Sequence, residues 1–546
     1  MFKVKPSLKL KTSTYQAVYH ALLARKRAIG LMAGGLLMGI APVNAWFLAW
    51  FAMIPLWCYV REGIDNDWRM RDVMAGAGLW GMAYHAIALS WVTGLHPMTW
   101  LGFTWLQSFL AIVAFAWVFV SIWATLIVIV WSGLMVGLDR LVRKFGAGQG
   151  LPVGGQILIG TALWCAIEWI WSQGPLYWSS LSFTQSPGNL WVLQLGRLSG
   201  HAVITAAIVA VNGLLAEAWL RRANGRMKRF YLGGAIALLL LLHLIGLGLY
   251  VHPLSDRPDA AIKVGLVQGN IPTTRKLTTS GIQESREVYL EGYESLVAEG
   301  ADLVITPEGA IPQRWNSFLQ SQDLLQRAVI KNGVPLVLGT FVHQDIDDRT
   351  TPITQSLLTL TSDGKVSGRY QKVKLAPLGE YLPFENILLP IIGRSPFGSS
   401  MVPGTFDQHL ETPLGPFAAG ICYESAFPRV FQQQVQKGAW AILTASNNDP
   451  YPRKQMAQHH GQDVMRAIET DRWEVRVTNT GISGVVDPKG RSRWLSEINT
   501  RTTHLAEIYP RRTRTLYVRV GDWLTPLLLI LSGLVLARSL RQRHLP

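Results

Sequence analysis

The sequence predicts an α-helical polytopic membrane bundle of about eight spans joined to one large α/β domain outside the bilayer. Three observations carry that expectation. Apolar windows crowd residues 28–251 and return at 523–537, whereas residues 252–520 carry Asp, Glu, Lys and Arg throughout. Basic residues gather in short segments beside apolar runs, with Arg221, Arg222, Arg226, Lys228 and Arg229 in one cluster and Arg538, Arg541 and Arg543 in another. Within 252–520, strand-like runs alternate with helical periodicity and hairpins, which argues layered helices and sheets. The net charge of +16 is therefore of the kind that marks the cytoplasmic side of a membrane protein, and no nucleic-acid partner is expected.

Residues 1–27, with Lys3, Lys5, Lys9, Lys11, Arg25, Lys26 and Arg27, read as a cytoplasmic tail. Residues 28–41 form the first span, ended by Pro42 and Asn44. A signal peptide cleaved near Ala45 is the alternative, and it fits poorly with so long a tail and with the apolar segment that follows. Residues 46–60 return and 72–95 cross outward. The long run 102–138 comes back to Arg140, Arg143 and Lys144 as one tilted or partly interfacial span. Residues 146–150 look like a phosphate-binding turn but lack the preceding strand and the following Lys-Ser/Thr, so they read as an interhelical loop. Residues 156–172 cross, 190–220 return and 231–251 cross outward, which closes a bundle over 28–251. The last helix and a basic tail occupy 521–546. Loops assigned to the inside carry Lys or Arg and the short outside loops carry none. Both termini are then cytoplasmic and 252–520 lies outside, in a bacterium on the periplasmic side of the inner membrane. Glu168 and Arg197 sit at membrane depth near the outer face, either snorkelling or paired with a neighbour, or lining a cavity that opens towards the soluble domain.

In the soluble domain, strands are expected at 262–267, 302–306 and 335–342, with a hairpin from 355–361 and 366–372. Further strands follow at 416–419 and 439–444, and 475–478 and 483–487 close the set. Helices are expected at 281–299, 318–332, 427–437 and 454–471. Polar residues repeatedly sit just past apolar strands. Cys422 falls on a strand-to-helix bend, where unpaired N–H groups at a helix start would favour thiolate; the plain alternative is a small buried hydrophobe. The chain has 3 cysteines, and Cys58 and Cys165 fall in apolar windows, so Cys422 is the only thiol of the soluble domain and no disulfide forms within it. Glu308, held after Pro307, and Lys372 also lie at strand ends. A Cys nucleophile needs a base for its proton and a positive group for the oxyanion, and Glu308 and Lys372 are of those types.

Several segments together resemble the nitrilase, or carbon-nitrogen hydrolase, superfamily: Val264-Gly265-Leu266-Val267-Gln268-Gly269-Asn270, Thr306-Pro307-Glu308, Tyr370-Gln371-Lys372, Gly379-Glu380-Tyr381-Leu382-Pro383 and Cys422-Tyr423-Glu424. With about seven spans before the domain and one after it, the whole chain resembles the bacterial apolipoprotein N-acyltransferase family. The resemblance implies a nitrilase-like αββα sandwich and a two-step acyl transfer. Cys422 would take the sn-1 acyl chain of a phospholipid, preferably phosphatidylethanolamine, as a thioester, and the α-amino group of a diacylglyceryl-modified apolipoprotein cysteine would accept it as an amide. By motif position Glu308 is the general base and Lys372 stabilises the oxyanion. Glu380 and Glu424 position Lys372 and the nucleophile, and Tyr423 belongs to the active-site surroundings. A monomer is expected. Lys374 stands where the family often has His, and period-two spacing would put it on the same strand face as Lys372, with the spacing from Tyr370 favouring Lys372 as the inward one. Asn447-Asn448-Asp449-Pro450-Tyr451 lacks the Trp-Phe usual after this motif.

Rival readings are a Cys-His thiol hydrolase using His343, His409, His459 or His460, a membrane-tethered nitrilase or amidase acting on a small amide, and a non-enzymatic transport or binding protein. No Cys pair or His-Glu-x-x-His spacing suggests a metal, and no cofactor is implied. Residues 273–286 and 394–410 are candidates for mobile lids by their Gly, Ser, Thr and polar content.

Overall fold

The computed structural model describes residues 9–541 apart from 147, 149, 316–323, 347, 378, 382–400 and 450. The membrane half comprises helices α1 (Lys9–Asn44), α2 (Ile54–Asp65), α3 (Met70–Ala88), α4 (Trp105–Phe145), α5 (Val153–Gln173), α6 (His201–Leu220) and α7 (Gly225–Val251). Among the described residues, 6 helices are long and apolar enough to cross a membrane: α1 over Leu22–Asn44, α4 to α7, and the last helix, Leu524–Arg541. The other two expected spans differ. At 12 residues, α2 falls short of the ~20 residues a bilayer core needs, and the 19 residues of α3 carry Arg71 and Asp72 in their first turn. Both still pack inside the bundle, where Trp57 and Trp80 are buried. The run 190–220 is likewise not one helix. Two single turns, Leu190–Leu193 and Gly196–Ser199, precede α6, with the break at Gly200, whose φ of +66° is left-handed.

Glu168 and Arg197 are both engaged. Buried Glu168 accepts from Trp164 Nε1, Ser180 Oγ, Leu181 N and Thr205 Oγ1, so it ties α5 to the loop that follows and to α6. Arg197 pairs with Asp471 of the α/β domain at 3.0 Å.

The α/β domain has two sheets. The first has the order β11-β1-β2-β3-β4-β5, built from β1 (Ile262–Gln268), β2 (Leu303–Ile305), β3 (Leu336–His343), β4 (Ile353–Leu360), β5 (Val366–Gln371) and β11 (Thr502–Ile508). The second has the order β10-β9-β8-β7-β6, built from β6 (Phe417–Ile421), β7 (Ala441–Ser446), β8 (Glu474–Thr478), β9 (Gly484–Val486) and β10 (Ser492–Leu495). Their inner faces meet through Leu266, Ile305, Leu357, Ile421, Leu443 and Val477. Helices α8 (Thr279–Ala298) and α9 (Leu324–Asn332) cover the first sheet through Tyr289, Leu296 and Val329. Helices α10 (Pro428–Gln436) and α11 (Arg453–Thr470) cover the second, which completes the αββα order. The last helix, Leu524–Arg541, is α12.

The β4–β5 hairpin and the strand-helix alternation follow the sequence expectation. β10 and β11 do not, because the expected set ended at 487. β11 pairs antiparallel with β1 over its whole length, so the last strand of the domain closes against the first. Its half-exposed residues, such as Thr503 and His504, gave little apolar signal.

The faces of α10 and α11 turned to the bundle are buried, while Arg429, Gln436, Arg453 and Lys454 stay exposed. Phe427, Val430, Phe431, Met465 and Ile468 join the same apolar cluster as Leu181, Leu195 and Ile204 of the bundle. Polar contacts reinforce the seam: Trp178 Nε1 donates to Gln458 Oε1 at 2.8 Å, and Lys489 Nζ donates to Leu249 O at 2.7 Å. One helix layer thus packs on a sheet on one side and on the membrane bundle on the other, which holds the second sheet at a set height above the bundle.

Candidate active site

Four strand ends converge where the two sheets meet. β2 runs into Thr306-Pro307-Glu308, β5 into Lys372, β6 into Cys422 and β7 into Asn447. Gly339 on β3 makes room for the first of these turns, because a Cβ there would lie 2.0 Å from Pro307 O.

Lys372 is the centre of the cluster. Its side chain is 1% exposed, and Nζ donates to Glu308 Oε1 at 3.0 Å and to Glu380 Oε1 at 2.6 Å. Burial works to neutralise this lysine, but the charges of Glu308 and Glu380 outweigh it and hold its pKa well above the usual lysine range. Glu308 Oε2 accepts from Asn447 N at 2.8 Å, and Glu380 Oε2 accepts from Ala376 N at 2.7 Å. Burial, with Glu308 nearby, keeps the Glu380 carboxyl above its ordinary range despite the lysine.

Cys422 sits at the end of β6 with a φ of +52°, a left-handed conformation that costs a non-glycine residue on the order of 1–3 kcal/mol. Neighbouring bonds hold it there. Glu424 Oε2 accepts from Ile421 N at 2.7 Å, and His459 Nε2 meets Cys422 O at 2.7 Å. The turn Cys422–Ala426 is a 3-10 turn and α10 starts only at Pro428. The expected thiolate at a helix start is therefore not what the fold provides. Burial first, and then the Glu308 charge, push the thiol above its ordinary pKa, with Lys372 pulling the other way. A neutral thiol beside a carboxylate and an ammonium group is equipped for deprotonation during attack, with the cation left to meet the developing oxyanion.

Glu424 does not touch Lys372. Fully buried, it accepts from Tyr370 Oη at 2.9 Å, from Val373 N at 2.7 Å and from Lys374 N at 3.0 Å, besides Ile421 N, so it staples the end of β5 to the end of β6. Burial raises its pKa to about 7 even against those donors. Tyr423 turns away towards the membrane half: its Oη donates to Pro175 O at 2.7 Å and accepts from Tyr177 N at 2.9 Å, and its ring stacks on Trp178. Lys374 diverges from Lys372 because β5 ends at Gln371. The period of two stops there, and Lys374 Nζ instead donates to Gln173 O at 3.0 Å.

None of the four histidines weighed as a base faces the thiol through a hydrogen bond. His459 Nδ1 accepts from Arg476 Nη2 at 2.7 Å, which puts the proton on Nε2 and aims it at the Cys422 carbonyl; burial lowers its pKa to about 3. His343 bonds Thr351 O, His409 bonds Glu411 and His460 bonds Ser492 Oγ.

Two neighbours were not foreseen. Lys276 Nζ donates to Glu308 O at 3.3 Å, and burial lowers its pKa to about 8. Tyr451 lies within electrostatic reach of Cys422 and Lys372, and its ring meets Trp91 of the membrane half edge-on. Lys276 belongs to the segment 273–286 weighed as a lid, which is helical over Thr273–Lys276 and again from Thr279 and is pinned by Thr273 N to Asp449 Oδ2. Of the second lid candidate, 394–400 lie outside the described residues; Met401, Val402 and Gly404 are tied by backbone bonds to Glu380, Ile353 and Lys372.

The two-sheet sandwich on a polytopic bundle defines the class: a carbon-nitrogen hydrolase domain built into a membrane protein. Residues 263–516 match the carbon-nitrogen hydrolase family, and residues 33–214 match the apolipoprotein N-acyltransferase N-terminal domain. An apolipoprotein N-acyltransferase of Nostoc sp. is 47% identical over 91% of this chain and 95% of its own length. One of Synechocystis sp. is 40% identical over 91% of this chain and 97% of its own length. The chain belongs to the apolipoprotein N-acyltransferase family. Among solved structures, the Saccharomyces cerevisiae nitrilase-superfamily protein Nit3 aligns over 46% of this chain and 91% of its own, with 20% identity and a TM-score of 0.36.

Proposed function

We propose that this protein N-acylates bacterial lipoproteins by a ping-pong reaction through a Cys422 thioester. The observation that carries this reading is the buried Lys372 held between Glu308 and Glu380 beside the Cys422 thiol. In the first half-reaction Glu308 takes the thiol proton as sulfur attacks the ester carbonyl of a phospholipid, phosphatidylethanolamine in the first instance. Lys372 stabilises the oxyanion, the C–O bond breaks, and the proton returns to the leaving alkoxide, which departs as lysophospholipid. In the second, the α-amine of a diacylglyceryl-cysteine attacks the thioester, Glu308 takes its proton, the C–S bond breaks and the thiol is restored.

Both substrates are bilayer lipids, which explains why a hydrolase-type domain should be seated on a bundle at both ends of its chain. The apolar seam along α10 and α11 supports this, since it keeps the site at the membrane face and limits the water that would hydrolyse the thioester. On this reading the protein works as a monomer in the inner membrane, with the catalytic domain periplasmic and both termini cytoplasmic. The basic clusters at 221–229 and 538–543 support that orientation.

Intact mass spectrometry after incubation with a defined phospholipid, beside Cys422→Ala, tests the proposal. The expected result is a hydroxylamine-sensitive acyl adduct on Cys422 that a diacylated lipopeptide amine discharges. A folded protein that never acylates yet hydrolyses a small amide would refute it.

A further inference from the structure

Where the bundle meets the catalytic domain, a cavity of about 180 Å³ is walled by Trp169, Gln173, His201, Lys374, Phe406 and Arg429 among others. Two cations are held in it on aromatic faces. Lys374 Nζ lies 4.8 Å from the Phe427 ring centroid, and the Arg429 guanidinium lies 5.0 Å from that of Phe406; both also reach Gln173, at 3.0 Å through its carbonyl and 3.5 Å through its side chain. Among the described residues neither forms an ion pair with a carboxylate. Burial, and next the Arg429 charge, lower the pKa of Lys374, and the nearby Glu424 charge only partly offsets them.

A second feature points the same way. His201 lines the cavity and is 9% exposed, and its Nδ1 has no hydrogen-bond partner. It is the first residue of the 20-residue helix α6, so the positive end of that helix is turned to the same space. The lining holds one acid, Asp522, whose Oδ1 accepts from Ser199 Oγ at 3.0 Å and Thr525 N at 3.1 Å at the start of α12, so one negative charge stands against the two cations.

Height and connectivity narrow the ligand. The cavity lies at the end of α5 and the starts of α6 and α12, and the half-exposed ring of Trp169 marks the interfacial level where lipid phosphates sit. Several wall residues are also close along the chain to the reacting cluster. Lys374 follows Lys372 by two residues, Phe427 follows the Cys422 turn, and Glu424 bonds the backbone at Lys374 N and at Ile421 N.

We infer that this cavity is a phosphate subsite that takes the phosphodiester of the acyl-donor lipid, with Lys374 and Arg429 pairing with its oxygens. The inference rests on the phospholipid-donor reading above. It assigns Lys374 and Arg429 to binding and donor choice, and leaves the bond-breaking steps to the Glu308, Lys372 and Cys422 cluster.

The test compares acyl-Cys422 formation from phosphatidylethanolamine and from diacylglycerol with the same chains, in the full-length protein and in Lys374→Gln, Arg429→Gln and the double variant. The double variant should lower the phospholipid-to-diacylglycerol ratio of kcat/KM by about tenfold or more, carried by KM. Arg429→Lys should restore most of the ratio. An equal loss on both donors, or an unmoved ratio in a protein that still acylates from phospholipid, would overturn the subsite alone. Wild-type protein that acylates from diacylglycerol but never from phospholipid would overturn the donor reading and the subsite with it. Excess inorganic phosphate should compete with phospholipid and leave diacylglycerol turnover unaffected; phosphate that inhibits both donors equally would assign the cavity to free phosphate and overturn the lipid assignment.

Discussion

Glu308→Gln separates the roles in the cluster, because it should move two measurable rates in opposite directions. Both carboxylate oxygens are in use, Oε1 with Lys372 Nζ at 3.0 Å and Oε2 with Asn447 N at 2.8 Å. An amide keeps one acceptor and turns a donor towards the other bond. The loss is about 1.5–3 kcal/mol for a charge-assisted hydrogen bond, within the ~5–15 kcal/mol that typically holds a domain together, so the variant should fold. The thiol, held above its ordinary pKa by burial and by Glu308, is not ionised at neutral pH and depends on a base. Without that base, acyl-enzyme formation should fall by about 10²–10⁴, or roughly 3–5 kcal/mol on the barrier. The same change removes a negative charge beside the sulfur. Alkylation by iodoacetamide should therefore rise, by about tenfold for each 1.4 kcal/mol of repulsion relieved, yet stay slower than in urea-denatured protein, where burial is gone. Acylation is read by intact mass and alkylation by quenched time courses across pH. A variant that acylates at the wild-type rate would refute Glu308 as the base, and one whose thiol alkylates more slowly would refute the reading that its charge holds the thiol pKa up.

Lys372→Met should also abolish acylation, by about 10²–10³ for a lost oxyanion partner, but alkylation of Cys422 should slow, opposite to Glu308→Gln, because Lys372 lowers the thiol pKa. Glu424 and Glu469 are both raised to about 7, chiefly by burial, so between roughly pH 4.5 and 7 these two groups hold more protons in the folded state than in the unfolded chain and their contribution to stability falls as pH rises. Buried His459 and His460, lowered to about 3 and 4, act in the opposite sense below about pH 6.5, so the check is a difference. Between pH 5 and pH 8 the thermal midpoint of Glu424→Gln should gain on that of the wild type in scanning calorimetry. Tyr423→Phe removes the hydroxyl bonds to Pro175 and Tyr177, worth about 1–2 kcal/mol. Amide exchange at 175–178 should quicken while acylation falls far less than in Lys372→Met; unchanged exchange would mean that Tyr423 does not hold the seam.

The positions of the cluster were legible because each is local: a strand-like run, a stop, then Glu308, Lys372 or Cys422. The β-turn of the hairpin and the periodicities of α8 and α11 were legible for the same reason, since 3.6- and 2-residue repeats are written along the chain. Directions beyond an element's end were not. Lys374 was expected beside Lys372, but β5 stops at Gln371 and the two side chains part. Likewise Cys422 was expected on a bend leading into a helix at 427, and the 3-10 turn Cys422–Ala426 that lies between removes the helix-start argument for a thiolate.

By itself the sequence determined the division into bundle and α/β domain, the order of the strands up to β9 and the identity of the cluster's side chains, because hydropathy and residue type act over short distances. Tertiary structure decided the rest. It closed β11 on β1, turned His459 from a possible base into a support for the Cys422 carbonyl, and buried Lys372 between two acids. Burial and charge at a site are sums over elements far apart in the chain, and only packing brings those elements together.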